Sequence, residues 1–187
     1  SFDDKRAADE LQAMIRQISG AELPIVTDRE PLTEHEIILG RNRHAGRLRA
    51  RAPYSRLGRE GFTIRTVGEH LVIAGGPERG VLYGVYALLE KHVGCRWFTP
   101  TVSRIPSART IVIPAIGDDT QVPAFAYRQV YYAECNDRDF CVHNRLNVLP
   151  SAEPRDIVGP QESPGNGLAH TFFSLCPPDK YFATHPE

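Results

Sequence analysis

Four groups of residues in this chain have types and spacings that could do chemistry. Cys135, Cys141 and His143 fall within one short segment and carry metal-ligand atoms. The C-x5-C-x-H spacing is not a standard zinc pattern, and no fourth ligand is evident, so thiols of a helix and loop are the plainer reading. Gly75-Gly76-Pro77-Glu78-Arg79-Gly80 joins a strand to a helix, as a dinucleotide-binding turn does. The dinucleotide fingerprint requires glycine where this chain has Pro77, and no acid ends the following strand, CRWF. Glu134 and Asp137 are two carboxylates close in sequence, but no recognisable catalytic motif surrounds them. His170, in Gly-Leu-Ala-His-Thr-Phe, follows a glycine-containing loop and could face a ligand or serve as a structural residue.

A fifth feature is a basic stretch. Arg41, Arg43, Arg47, Arg49, Arg51, Arg56 and Arg59 follow one another with no acid among them. Arginine can engage a carboxylate through two hydrogen bonds, so an acidic polysaccharide would be a sensible partner. The plainer reading is a solvated helix and loop facing acids elsewhere. Nucleic acid is not expected as a partner, because only Tyr54 interrupts the run and the net charge is −1. Lysine occurs only at Lys5, Lys91 and Lys180, which is read as genome bias.

The element that must position these groups is Arg79 to Pro100. Val81, Leu82, Val85, Leu88, Leu89 and Val93 recur at helical spacing and make one apolar face. Pro77 and Glu78 suit the first turn of that helix, and Gly94 suits its end. Gly80, Gly84 and Ala87 line a second strip. Each helical glycine costs about 1 kcal/mol relative to alanine, so two of them one turn apart predict close approach of a neighbouring backbone. Cys95 to Thr99 then reads as a short strand, with Cys95 in the core.

The remaining elements follow in order. Residues 2 to 19 form an amphipathic helix, with Ala7, Leu11, Met14, Ile15 and Ile18 on the buried stripe and Gly20 at its end. Leu23 to Val26 is extended, and Glu36 to Leu39 is a strand closed by Gly40. Gly61 to Val67 and Leu71 to Ile73 form a hairpin across Gly68-Glu69. Arg109 to Pro114 reads as a further strand. Pro114 to Pro123 reads as a linker with little to bury. Beyond it come a strand over Phe125 to Tyr131, a helix from about Asp137 to Arg145, a strand at Leu146 to Leu149, and a surface loop from Ser151 to Gly167.

Composition is that of an ordinary globular protein, with 41% hydrophobic and 24% charged residues. No apolar run approaches the roughly 20 residues of a membrane helix, so no membrane partner is expected. The chain opens directly on a helical pattern and shows no signal peptide. Four scattered cysteines do not make a disulfide framework.

RGVLYGVYALLEKHVGCRWFTP resembles the hallmark of the alpha-glucuronidase N-terminal-like domain (domain 2 of the beta-hexosaminidases is similar). It is closer still to the version in a poorly characterised bacterial family predicted to act on carbohydrates. SFDDKRAADELQAMIRQISGAELPIV resembles that family's opening helix and exit. EIILG, EGFTIRT and LVIAGG resemble its strands. PAFAYRQV, NRLNVL, LAHTFFSL and YFATHPE resemble the start of its barrel region. The resemblance implies an α+β two-layer sandwich, a mixed sheet with helices on one side, followed by the first units of an incomplete (β/α)8 barrel. The implied boundaries are 1–116 for a non-catalytic α/β domain, 117–123 for a linker and 124–187 for the barrel start. A full barrel takes about 250 residues, so only its first units fit here. In the family a strand precedes the opening helix, so the chain is expected to begin just inside the domain.

The resemblance implies a glycoside hydrolase, with a non-enzymatic carbohydrate-binding or scaffold module as the rival. By resemblance, Arg128 at the end of the first barrel strand contacts sugar hydroxyls; its plainer role is a structural salt bridge. Asn147 on the second strand and His170 are the other candidate substrate contacts. Tyr131 or Tyr132 could supply a sugar-stacking face. Glycoside hydrolysis usually needs two carboxylates about 5–9.5 Å apart across the bond. In the resembled barrels these come from later strands, so no catalytic residue is assigned here. No cofactor is called for, carbohydrate is the expected partner, and the resemblance suggests a secreted or periplasmic location.

Overall fold

The computed structural model describes residues 2–147 and 172–184. The opening helix α1 (Phe2–Ser19) buries Ala7, Leu11, Met14 and Ile18, the stripe its periodicity dictates. Gly20 ends it in the left-handed region at φ +78, where its N–H closes on the Arg16 carbonyl at 2.8 Å. The chain then runs extended and exposed to β1 (Ile37–Leu39) and a short helix α2 (Arg43–Arg47). Asn42 caps α2 by accepting from the Ala45 N–H at 2.9 Å.

The hairpin forms as its alternation requires. β2 (Phe62–Val67) pairs antiparallel with β3 (His70–Gly75) in unbroken register from Phe62↔Gly75 to Val67↔His70. β1 joins β3 in parallel, with Ile38 opposite Val72. β6 (Asp119–Gln121) joins β2 antiparallel, so the mixed sheet runs β1-β3-β2-β6.

The central helix α3 (Gly80–Leu88) is buried along its whole length. It continues through a wider π-type turn, Leu89–Val93, and stops at Gly94 with φ +97. Of the two glycines expected to admit a neighbouring backbone, Gly80 does so, whereas Gly84 makes room for side chains of the sheet. A Cβ on Gly80 would lie 2.5 Å from the Gly61 carbonyl oxygen, and one on Gly84 would lie 2.5 Å from Ile73 Cγ2. The main core lies between α1, α3 and one face of the sheet, through Phe62, Ile64 and Ile73. A small hairpin of β4 (Arg96–Trp97) and β5 (Ser103–Arg104) follows. The last described elements are a 3-10 turn at Ala133–Asn136, α4 (Arg138–His143), α5 (Phe172–Leu175) and α6 (Pro178–Tyr181).

The structure corrects several expectations. Helices do not lie on one side alone: α2 covers the second face, where Ala45 packs on Ile38 and Val72. Those two side chains point away from the main core by strand alternation and must be buried by something else. Residues 109–114 form no strand, although Ile111 and Ile113 pack against the core. Edge pairing begins later, because Thr63 and Thr120 bring their hydroxyls together at 2.7 Å and Asp118 accepts from both. The stretch expected as a linker, 117–123, therefore holds the edge strand β6. Phe125 to Tyr131 is irregular rather than a strand, and so are Leu146 and Asn147. Val148 and Leu149, the 151–167 loop, and His170 lie outside the described residues.

Candidate functional site

Two tight turns interlock ahead of β2 and α3. Gly76 N–H donates to the Gly61 carbonyl at 2.8 Å, and Glu78 N–H donates to the Arg59 carbonyl at 3.1 Å. A Cβ on Gly76 would sit 2.4 Å from the Gly58 carbonyl oxygen. The Gly75–Gly80 turn is thus filled by the 58–61 backbone, which takes the space a pyrophosphate would need.

The interlock places two complementary dipeptides against each other. Arg59 Nε donates to Glu78 Oε1 at 2.5 Å on the exposed side. On the inner side, Arg79 Nε and Nη2 donate to Glu60 Oε1 at 2.9 and 2.7 Å. Arg79 is 2% exposed and Glu60 5%, so this pair is almost wholly desolvated. The Arg79 guanidinium also lies over the Tyr83 ring, 5.0 Å from its centroid. Burial raises the Tyr83 phenol well above its ordinary range, so it stays protonated as a donor.

Arg128 completes this centre. Its Nη2 donates to Glu60 Oε2 at 2.5 Å, so one carboxylate is shared by two arginines. Its Nε donates to the Arg145 carbonyl at 3.0 Å, and its Nη1 to the Phe125 and Ala126 carbonyls at 2.7 and 3.2 Å. Leu146 offers its carbonyl to Arg79 Nη1 at 3.4 Å and to the Tyr83 hydroxyl at 3.5 Å. Asn147 sits beside Arg128, buried to 4% exposure, and accepts from the Arg128 N–H through its side-chain oxygen.

Of the three residues expected to contact substrate, Arg128 and Asn147 are brought together, and His170 lies outside the described residues. Sequence reasoning missed Glu60, Arg79 and Tyr83. A signal for two of them was present: Arg59-Glu60-Gly61 and Glu78-Arg79-Gly80 carry opposite charge orders before a glycine.

The other candidate groups take structural positions. Cys141 Sγ donates to the Cys135 carbonyl at 3.2 Å, and burial pushes its thiol up to about 12. His143 stacks on Trp97 at 4.7 Å and 10° between planes, with Tyr86 edge-on to both. Among the described residues no three His, Cys, Asp or Glu gather in a way that could hold a metal ion. None of the helices among them is long and apolar enough to cross a membrane. In the basic stretch, Arg41 lies over the Tyr54 ring at 5.4 Å and Arg59 pairs with Glu78. Glu134 and Asp137 belong to the 3-10 turn and the α4 cap, where Asp137 accepts from the Phe140 N–H at 2.7 Å. Tyr131 and Tyr132 are 66% and 75% exposed, and Phe125 is 74% exposed on the same segment.

Comparison with known proteins finds a family match in each half of the chain. Residues 3–88 match the Glycosyl hydrolase family 67 N-terminus, and residues 97–187 match DUF4838, a domain of unknown function. No curated protein matches. Among solved structures, the chain is similar to a mutant Streptomyces plicatus beta-hexosaminidase in complex with its product GlcNAc. The identity is 20% and the TM-score 0.43, and the match covers 68% of this chain and 21% of that one. The chain thus carries a segment similar to a Glycosyl hydrolase family 67 N-terminus, followed by one similar to DUF4838.

Proposed function

We propose that the chain is the N-terminal region of a glycoside hydrolase acting on complex carbohydrate. Residues 1–116, with the edge strand β6 that completes their sheet, form its accessory α/β domain, and the chain from about residue 124 begins a (β/α)8 barrel that carries the chemistry. The observation that carries this reading is the Glu60 carboxylate. It receives Arg79 from the segment matching the hydrolase N-terminus and Arg128 from the segment matching DUF4838. A buried charge shared in this way fixes one geometry between the two segments and is poorly replaced by any other. That suits an accessory domain whose task is to hold the start of a barrel.

In this reading Arg128 and Asn147 are positioning residues. The donors of Arg128 are engaged by protein acceptors, so it supports the sugar-facing surface from behind. Tyr131 and Tyr132 are exposed, and in this reading an apolar sugar face lies against one of their rings. His170 is the third proposed contact. No pair in this chain is assigned to catalysis.

The alternative is a non-enzymatic carbohydrate-binding or scaffold module. The saturated guanidinium of Arg128 and the exposed aromatics of 125–132 suit that role as well. Calorimetric titration of the purified protein against neutral and uronic-acid sugars, run beside an aryl-glycoside turnover assay, tests the carbohydrate binding that the two readings share. Sugar binding without turnover is expected. Turnover would overturn the absence of a catalytic pair, and failure of every sugar to bind would overturn the carbohydrate reading.

A further inference from the structure

The second face of the sheet carries an arginine surface that the fold leaves without counter-charges. α2 buries His44 and Ala45, so Arg43 and Arg47, one turn apart, stand exposed on its other side. Beyond α2, Leu48 and Ala50 pack inward on the small core of Ile38, Ala45 and Val72. Arg47, Arg49 and Arg51 alternate with them and are exposed. Arg65 Nη1 donates to the Arg51 carbonyl at 2.7 Å and ties this segment to β2. Arg41 and Arg56 are exposed as well, and Arg41 lies over the Tyr54 ring at 5.4 Å, which brings the two ends of the stretch together.

The acids that a solvated basic face would be expected to meet are not there. The stretch 41–59 holds seven arginines and no acid in a chain of net charge −1, so the rest of the chain is net −8. Arg59 pairs with Glu78, but among the described residues the other six have no carboxylate partner. Two carboxylates reach this region, and both are engaged by other donors. Asp28 Oδ2 accepts from the Arg43 backbone N–H at 2.9 Å. Glu36 accepts from the Thr33 N–H at 2.8 Å and faces His44 Nδ1 at 2.7 Å. Like charges one turn apart, as at Arg43 and Arg47, oppose helix formation, so the fold itself does not call for them.

The surface is also free of apolar anchors. No large apolar side chain is exposed between residues 27 and 97. Protein interfaces centre on an apolar core, and membrane-surface helices insert apolar side chains. Single-stranded nucleic acid is held by exposed aromatic rings, and Tyr54 is already covered by Arg41. A hydrated polymer with recurring negative groups fits what remains.

We infer that this surface binds an acidic polysaccharide, a sugar chain with carboxylate or sulfate groups repeated along it. The arginine fork matches the paired oxygens of either group. The inference rests on the carbohydrate reading and adds the class of sugar. Each exposed pair is weak, so binding comes from several arginines at once and is screened by salt.

The test is titration of the purified protein with polygalacturonate, dextran sulfate, neutral dextran and duplex DNA, beside the neutral sugar panel. At least one acidic polysaccharide should bind, and the tighter of the two tells carboxylate from sulfate. Its binding should weaken as salt rises from about 50 mM to about 500 mM, because the screening length shortens. The triple variant Arg43→Gln, Arg47→Gln, Arg51→Gln changes exposed side chains only. It should keep the parent's urea midpoint and neutral-sugar binding, and weaken the acidic polysaccharide about tenfold. If neutral sugars bind and neither acidic polysaccharide does, the inference is wrong and the carbohydrate reading stands. If no sugar of either kind binds, the carbohydrate reading itself fails. Tighter binding of DNA than of either polysaccharide would overturn the inference. So would salt-independent binding, or a triple variant that binds as the parent does.

Discussion

Arg128 and Asn147 hydrogen-bond to each other in both directions. The Asn147 N–H donates to the Arg128 carbonyl at 2.8 Å, and the Arg128 N–H donates to the Asn147 side-chain oxygen. This exchange joins two irregular segments that lack ladder pairing, and it holds the Arg128 side chain where Glu60 can receive it.

Asn147→Ala should therefore act at a distance from position 147. It leaves the Arg128 N–H without its acceptor in a partly buried setting, and should cost about 1–3 kcal/mol. Urea denaturation measures the loss. Amide exchange of residues 125–131 should speed up more than that of β2 and β3. Equal acceleration throughout would mean that the pair does not organise this segment.

Glu60→Gln tests the shared carboxylate. The variant keeps the shape but removes the charge between Arg79 and Arg128, both held largely away from water. Breaking a buried pair by removing one partner costs roughly 3–5 kcal/mol, and here one change strips two arginines. Arg128→Ala should cost less, because Arg79 keeps its partner. If Glu60→Gln unfolds at the parent's urea midpoint, the centre contributes little to the fold.

The glycine strip of α3 makes a paired prediction. Gly84→Ala places a methyl 2.5 Å from Ile73 Cγ2, inside a packed core, and should destabilise by about 1–3 kcal/mol. Gly46→Ala, in α2 with open space around it, should be neutral or stabilise by up to about 1 kcal/mol. Chemical denaturation of both variants checks the contrast. Similar effects at the two sites would contradict close approach at Gly84.

His143 gives the pH dependence. Burial lowers its pKa below the ordinary 6.5, against the opposing pull of Asp139 and Asp137, while Arg6 also lowers it. The folded protein thus holds this proton less tightly than the unfolded chain. The resulting stability is present in full above about 6.5 and is lost as pH falls from there through the folded-state value. His143→Phe retains a ring against Trp97 and removes the titration. Urea midpoints between about pH 8 and about pH 5 should fall further for the parent than for the variant. Parallel curves would place the imidazole in water.

The hydrophobic periodicity of α1, the hairpin alternation and the glycines of α3 made much of the first half legible, because local pattern and tertiary packing agree there. Cys95 and the α4 segment were legible for the same reason. Apart from α4, the region from 109 onward was not. Pro114 supplies no N–H, and β6 is a three-residue strand set by Thr63, Thr120 and Asp118, which no hydrophobic pattern announces. The Glu60 centre was hidden for a related reason. Its members come from a turn, a helix cap and an irregular segment, and only their burial gives them meaning. Arg128 and Asn147 were singled out through family resemblance, and the structure adds that they belong together.

The measurement that tests the carbohydrate reading most directly is calorimetric titration with the sugar panel on four proteins: parent, Tyr131→Ala, Tyr132→Ala and Arg128→Ala. The account predicts that the parent binds at least one sugar. Loss of a stacking tyrosine should abolish most of that binding at unchanged stability, while Arg128→Ala should weaken both binding and stability. A parent that binds no sugar would contradict it, as would tyrosine variants that bind as well as the parent.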